Sequence, residues 1–320
     1  MITSIEIENL RGIAHGKLEG LTKLTVLIGP NGSGKSSILD AIWIFTSSQP
    51  GLVMQSTMER HSGTGNNRKW FLYKGNKTNK MNIRGDILVD DIKTERNIGF
   101  EYNLQQDNVA GVILDNGNVV GHVNPGFNKP IKNNPIMDVK MIGKFSGLSQ
   151  PNIHDLFSEM DIVGRQNEAV EIIQKIMPNI KDVKILTENG SPFLFVSYPD
   201  YSVPVAISGD GVYSLIQLGL ELALRSGGIA LLEEPEIHLH PAAIRETAKV
   251  IWGAVRRGVQ VILTTHSIEL IDDLLKFSSE EEIDKLSVFR VKLDDGVLKS
   301  SRISGADVEF ARHQIGDDLR

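Results

Sequence analysis

The sequence has no cysteine. Disulfides, thiolate zinc centres and cysteine nucleophiles are therefore excluded, and the composition fits a reducing cytoplasm. Long apolar runs are missing as well. Stretches such as GVQVIL fall far short of the ~20 residues that a membrane-spanning helix needs. The opening MITSIEIENLRG has neither a basic n-region nor an apolar h-region, so no signal peptide and no membrane association are expected. An overall basic charge is lacking too. The 34 Lys and Arg stand against 40 Asp and Glu, a net charge of −6, so any nucleic-acid face must be a local patch. What is there is an ordinary globular composition, 41% hydrophobic and 23% charged. At 320 residues the chain is longer than one average domain.

Periodicity divides the chain in three. SIEIENL alternates as a half-buried strand, KLTVLIG is a continuous buried strand, and ILDAIWIF continues as a helix. Residues 47–82 change to Ser, Gly, Asn and Lys and read as a mobile insertion. DILV, NIGFEYNL, VAGVIL and NVVGHV form a β-meander with a turn signal at DNGN, and VKMIGKF reads as a further strand. Residues 151–178 carry one or two amphipathic helices, and a hairpin around Asn189 and Gly190 follows. Helix and buried strand then alternate through SGDGVYSLIQLGLELALRSGG, IALLEE, PAAIRETAKVIWGAVRRG, VQVILTTHS, IELIDDLLKF and LSVFRVKL. The fold class expected is α/β, a mixed sheet flanked by helices with an inserted antiparallel β/helical lobe. The divisions expected are 1–46 and 181–320 for the two halves of the core and 47–180 for the lobe.

GPNGSGKS, Gly29 to Ser36, matches G-x-x-x-x-G-K-[ST] in full, after a buried strand and before a helix. Gly32 and Gly34 let the backbone amides turn inward, and with the helix N-terminus they form an anion nest. Lys35 neutralises the β- and γ-phosphates, and the Ser36 hydroxyl ligates Mg²⁺. The expected nucleotide contacts are Gly29, Pro30, Asn31, Gly32, Ser33, Gly34, Lys35, Ser36 and Ser37. A guanine-reading Asn-Lys-x-Asp element is absent, because NKTN puts Asn79 where the acid should be, and this favours ATP.

Such a loop needs an acid on a neighbouring strand for the metal, and a base beside it. IALLEEPE offers Glu233 for the metal and Glu234 for the attacking water, with Pro235 stopping the strand. His266 ends the next buried strand, where it can sense the γ-phosphate. Upstream, ISGDG opens a helix, and Ser208 with Gly209 makes a second helix-N-terminal anion site. Two phosphate-binding helix starts in one chain suggest a head-to-tail homodimer with nucleotide sandwiched between.

Together P-loop, SGDG, EEPE and TTHS resemble the ATP-binding-cassette ATPase core. The opening IEIENLRGI…LTKLTVLIGPNGSGKSSILDAI looks like the RecF/SMC branch, and LLEEPEIHLHP is similar to the OLD (overcoming-lysogeny) ATPases, including the Gabija and Septu defence ATPases. The resemblance covers residues 1–46 and about 180–290 well, and the middle poorly. It implies ATP and Mg²⁺ as cofactors, Ser208 and Gly209 acting across the dimer, Glu234 as catalytic carboxylate, His266 as switch histidine and Arg11 touching nucleotide phosphate. The sequence departs from the family in having Glu233 for the usual aspartate and Asp210 inside the signature. Gln105, Gln106 and Gln150 compete for the Q-loop glutamine. The resemblance also puts His238 and His240 in the loop lining the dimer seam, against a reading as a zinc pair.

Residues 59–84 hold seven Lys or Arg and one acid, with Trp70, Phe71 and Tyr73 interleaved. This is either a DNA-binding face or a WFLY edge strand with a solvated basic rim. OLD-type proteins carry a Toprim nuclease after the ATPase. The chain is expected to lack one, and LDDG at 293–296 reads as a hairpin turn. The function expected is an ATP-hydrolysing switch that controls DNA or a separately encoded effector or nuclease, in phage defence or DNA repair. A transporter motor and a non-hydrolysing scaffold are the alternatives.

Overall fold

The computed structural model describes residues 1–62, 68–78, 80–103, 108–124, 130, 131, 134, 138–143, 152–237 and 239–312. Its centre is a group of parallel strands: β3 (Leu24–Ile28), β12 (Ile229–Glu233) and β13 (Gln260–Thr264), in the spatial order β3-β13-β12. All three are apolar along nearly their whole length because both faces are covered. Alternation sorts their side chains into two cores. Leu27, Ile229, Leu231 and Ile262 pack on the side of α1 (Lys35–Thr46). Leu24, Val26, Ile28, Ala230, Leu232, Val261 and Leu263 pack under α6 (Pro241–Arg256) and α7 (Ile268–Lys276). Buried Trp252 on α6 fastens these two helices together by donating from Nε1 to Leu274 O at 2.8 Å.

The sheet grows in both directions from these strands. On one side it continues through β14 (Leu286–Asp294), β15 (Val297–Ser304), β2 (Ile13–Glu19) and β1 (Ile2–Leu10). Beyond β1 come β4 (Met81–Val89), β5 (Ile92–Asn103), β6 (Asn108–Asp115) and β7 (Asn118–Val123). On the other side β8 (Val139–Ile142) pairs in parallel with β12 as the far edge of twelve strands. The expected β/helical lobe is therefore distributed. Its meander extends the main sheet, with Ile5 opposite Gly85 and Ile7 opposite Ile83, and β8 joins the parallel end.

Its helices α3 (Ile153–Ile162) and α4 (Gln166–Ile176) share a third core with a small sheet of β9 (Asp182–Glu188), β10 (Ser191–Ser197) and β11 (Ser202–Pro204). The helix α5 (Asp210–Ala223) completes that core. Two-residue turns of the Asx-Gly kind close three hairpins. Asn116–Gly117, Asn189–Gly190 and Asp295–Gly296 all have positive φ, which matches the twist of the flanking strands. LDDG is thus a turn, as its spacing suggests.

Residues 47–82 differ from the expected mobile insertion. They hold α2 (Pro50–Ser62) and two 3₁₀ turns, Arg68–Phe71 and Tyr73–Gly75. WFLY is accordingly not an edge strand. Phe71 and Leu72 are buried, Leu72 bridges Leu10, and Arg11 N donates to Phe71 O at 2.9 Å. Two apolar anchors pin the segment onto the β1–β2 turn, which a scan dominated by Lys, Asn and Gly does not register. Among the described residues no helix is long and apolar enough to cross a membrane.

Candidate nucleotide-hydrolysis site

Three loops leave the carboxyl ends of β3, β12 and β13, the edge at which parallel α/β sheets bind ligands. The loop after β3 is the glycine-rich segment. Gly32 at φ 77° and Gly34 at φ 91° turn the chain so that α1 starts at Lys35. Lys35 is buried, and its Nζ donates to the carbonyls of Gly29 at 2.8 Å and Pro30 at 3.1 Å. Burial pushes the Lys35 pKa down, and the charges of Glu234 and Glu236 pull it back up. Among the described residues the buried Ser33 hydroxyl has no hydrogen-bond partner. A buried ammonium hydrogen-bonded, among the described residues, to neutral carbonyls, beside an unused hydroxyl and a helix N-terminus, is a site built for an anion.

The loop after β12 carries the two glutamates. Glu233 pairs with Thr264 across the parallel ladder. Glu234 then breaks from the strand at φ 45°, a left-handed conformation that non-glycine residues seldom take. Its amide is held by Thr264, through both O and Oγ1 at 3.1 Å. The reversal turns the chain off the strand direction between these two consecutive side chains. The loop after β13 brings His266 back toward the same turn, with Nε2 3.2 Å from Glu234 Oε1. That nitrogen is buried and, although within ion-pair distance of Glu234, makes no hydrogen bond among the described residues.

The remaining expected residues are dispersed. The start of α5 and the EEPE turn of one chain wall a single cleft of about 360 Å³, lined by Asp210, Gly211, Tyr213, Gln217, Glu233 and Glu234 among others. Ser208 and Gly209 precede this wall. Gly209 at φ 93° is the residue before α5, and Ser208 N donates to Val205 O. Arg11 sits on the other flank in the β1–β2 turn at φ 52° and pairs with buried Asp40 of α1. A second cleft, of about 450 Å³, opens there, lined by Arg11, Ser37, Trp70, Tyr73, Lys74 and Asp295 among others. The Q-loop candidates Gln105, Gln106 and Gln150 lie outside the described residues, as do Asn79 and His238. His240 has a local task. It caps α6, its Nδ1 accepting from Ala242 N at 3.3 Å.

Sequence reasoning passes over two groups. Gln217 lines the first cleft from α5. Glu236, the last acid of EEPE, accepts at Oε1 from Thr265 Oγ1 at 2.5 Å and from His266 N at 3.0 Å. Burial pushes its pKa up against these hydrogen bonds. Its signal in the sequence is a third glutamate within four residues.

Residues 1–109 match a family described as "AAA ATPase domain", and residues 146–272 match one described as "AAA domain, putative AbiEii toxin, Type IV TA system". Two separate stretches of the chain thus resemble AAA-type ATPase domains. An uncharacterized protein of Methanocaldococcus jannaschii is 34% identical over 113 residues, 35% of this chain and 98% of that protein. An ATP/GTP phosphatase of Helicobacter pylori is 21% identical, with 97% of each chain covered. In fold, the chain is like SMC heads. One, bound to the C-winged helix domain of ScpA, aligns with TM-score 0.66 at 15% identity over 95% of this chain and 97% of that one. Another, from Pyrococcus furiosus and bound to the C-terminal domain of ScpA, aligns with TM-score 0.64 at 14% identity over 99% of each.

Proposed function

We propose that this chain is a Mg²⁺-dependent, ATP-hydrolysing switch of the RecF/OLD type. It closes as a head-to-tail homodimer on ATP and passes its nucleotide state to DNA or to a separately encoded effector. The observation that carries the reading is the Glu234–His266 pair, 3.2 Å apart at the ends of adjacent parallel strands, with the charge of Glu234 acting on Lys35.

In this reading the loop Gly29–Gly34 and the first residues of α1, Lys35, Ser36 and Ser37, hold the phosphates. The Ser36 hydroxyl and the Glu233 carboxylate are hard oxygen donors suited to Mg²⁺, which when bound neutralises charge on the phosphate oxygens. Glu234 takes the proton of the attacking water. His266 holds its place against Glu234 and faces the γ-phosphate. Ser208 and Gly209 serve the partner's nucleotide across the dimer, Arg11 touches nucleotide phosphate, and Trp70 flanks the nucleoside end along the second cleft. The missing guanine-reading acid favours ATP. Residues 47–180 would dock the effector or DNA, between core halves 1–46 and 181–320. The family match described with a type IV toxin–antitoxin system supports a role in phage defence, and the SMC heads bound to ScpA domains support control of a second protein.

The test is phosphate release from ATP with Mg²⁺, together with mass by light scattering. Wild type should hydrolyse ATP, Lys35→Ala should lose nucleotide binding, and ATP should raise the mass to a dimer. A wild-type chain that binds no ATP would end the reading. One that binds ATP but stays monomeric would end the sandwich.

A further inference from the structure

Glu236 has no part in the phosphate, metal or base assignments, yet its side chain joins the two loops on which they depend, alongside the bond from the Glu234 amide to Thr264 Oγ1. Its Oε1 accepts from Thr265 Oγ1 at 2.5 Å and from the amide of His266 at 3.0 Å. Thr265 is itself tied on two further sides. Its amide donates to Leu27 O on β3 at 3.1 Å, and its hydroxyl accepts from Ser267 N at 2.9 Å. Ser267 in turn caps α7, its Oγ accepting from Leu270 N. On its own side Glu236 belongs to the tight turn after β12, where Ile237 N donates to Glu234 O and Leu239 N to Glu236 O. One carboxyl oxygen thus fixes the start of the His266 loop against the turn that presents Glu234. The Glu234–His266 separation depends on where those two loops sit relative to each other. Among the described residues, these two bonds to Glu236 are the side-chain hydrogen bonds that connect residues 235–237 to residues 265–267.

We propose that Glu236 is a positioning residue for ATP hydrolysis, holding His266 in register with Glu234 through Thr265 and the His266 amide. The inference rests on the roles of Glu234 and His266 in the proposed function. It requires only that Oε1 accept two hydrogen bonds, which an amide oxygen at the same place does equally well. Direct chemistry at the γ-phosphate or the metal would instead need the carboxylate itself.

The test compares Glu236→Ala with Glu236→Gln in the full chain, measuring kcat and KM for ATP, with a fluorescent ATP analogue as the probe of binding. Loss of the acceptor in Glu236→Ala should lower kcat by about 10- to 100-fold, the cost of a small misplacement of reacting groups, while leaving KM within about twofold. Glu236→Gln should restore kcat to near wild type. Thr265→Val, which removes one of the two donors, should fall between. Glu236→Gln as slow as Glu236→Ala would overturn the proposal in favour of direct carboxylate chemistry, and full kcat in Glu236→Ala would overturn it outright. If Glu236→Ala fails to fold, as loss of analogue binding would show, an unchanged kcat in Thr265→Val overturns it instead. Wild-type kcat in Glu236→Ala with none in Glu234→Gln would sink this inference and leave the hydrolysis reading standing. A wild-type chain without turnover would sink both.

Discussion

Oε1 of Glu234 lies 3.2 Å from Nε2 of His266, although the two residues are 32 positions apart in the chain and sit on different loops. The parallel pairing of β12 with β13 creates the relationship, because Glu233 opposite Thr264 sends both loops off the sheet at one level. The left-handed backbone at Glu234, φ 45°, is a strained conformation of the kind that costs about 1–3 kcal/mol and persists where surroundings enforce it. Glu234→Gln keeps the side-chain shape beside the imidazole, but cannot take a proton. ATP binding should survive, and single-turnover hydrolysis should slow by about 10²- to 10⁴-fold. Hydrolysis at the wild-type rate would remove Glu234 from the chemistry.

Beside the glycine-rich loop opens the cleft lined by Arg11, Ser37, Trp70, Tyr73 and Lys74, where the proposed function puts the nucleoside end of ATP. Trp70 is half-exposed, and Lys69 Nζ stands 5.1 Å from its ring centroid. An open indole next to a phosphate loop is a surface on which a nucleobase can stack. Trp70→Ala should weaken ATP binding by about 0.5–1.5 kcal/mol, or up to roughly tenfold. The affinity for inorganic tripolyphosphate, which has no base, should not change. Equal losses for both ligands would mean that Trp70 acts through the fold.

Much of the site is legible in the amino-acid sequence alone. The P-loop, EEPE and TTHS each follow a continuous apolar run, and strands buried on both faces carry that signature locally. Pairing at a distance is what the sequence hides. Nothing in MNIRGDILV shows that it will lie beside IEIENL, so the meander reads as a lobe of its own and not as the continuation of the main sheet. Arg96 escapes for the same reason. It is fully buried on β5, forms a two-pronged pair with Asp115 at 2.8 Å and donates to Phe45 O at the end of α1, so an apparently solvated charge locks the meander to the core. The anchors Phe71 and Leu72 are masked by basic neighbours, and Glu236 by the two glutamates before it. Local pattern reports burial and chain reversal, whereas the partner of a polar side chain depends on residues tens of positions away.

At the far end of α6, Arg256 holds Glu282 with both prongs, Nε to Oε1 at 2.9 Å and Nη2 to Oε2 at 2.8 Å, while Ser279 N donates to Oε2 at 3.0 Å. The same guanidinium donates to Phe277 O, so the pair ties α6 to the segment that leads into β14. Chiefly through the Arg256 hydrogen bond, the Glu282 pKa falls from 4.5 to about 2. A carboxyl whose pKa is lower folded than unfolded stabilises the fold above its unfolded value, and loses that contribution as the pH drops through its folded value. The window is therefore roughly pH 4.5 down to 2 for this group. Glu282→Gln should lower Tm at pH 7 by about 1–2 °C, on the order of 1 kcal/mol for a chain of this length. The gap between variant and wild type should narrow steadily below pH 4.5 and close near pH 2. Thermal melts of both proteins across that range measure it. A gap that stays constant with pH would show that the glutamine acts through lost packing, and that the Arg256–Glu282 charge contributes nothing to stability.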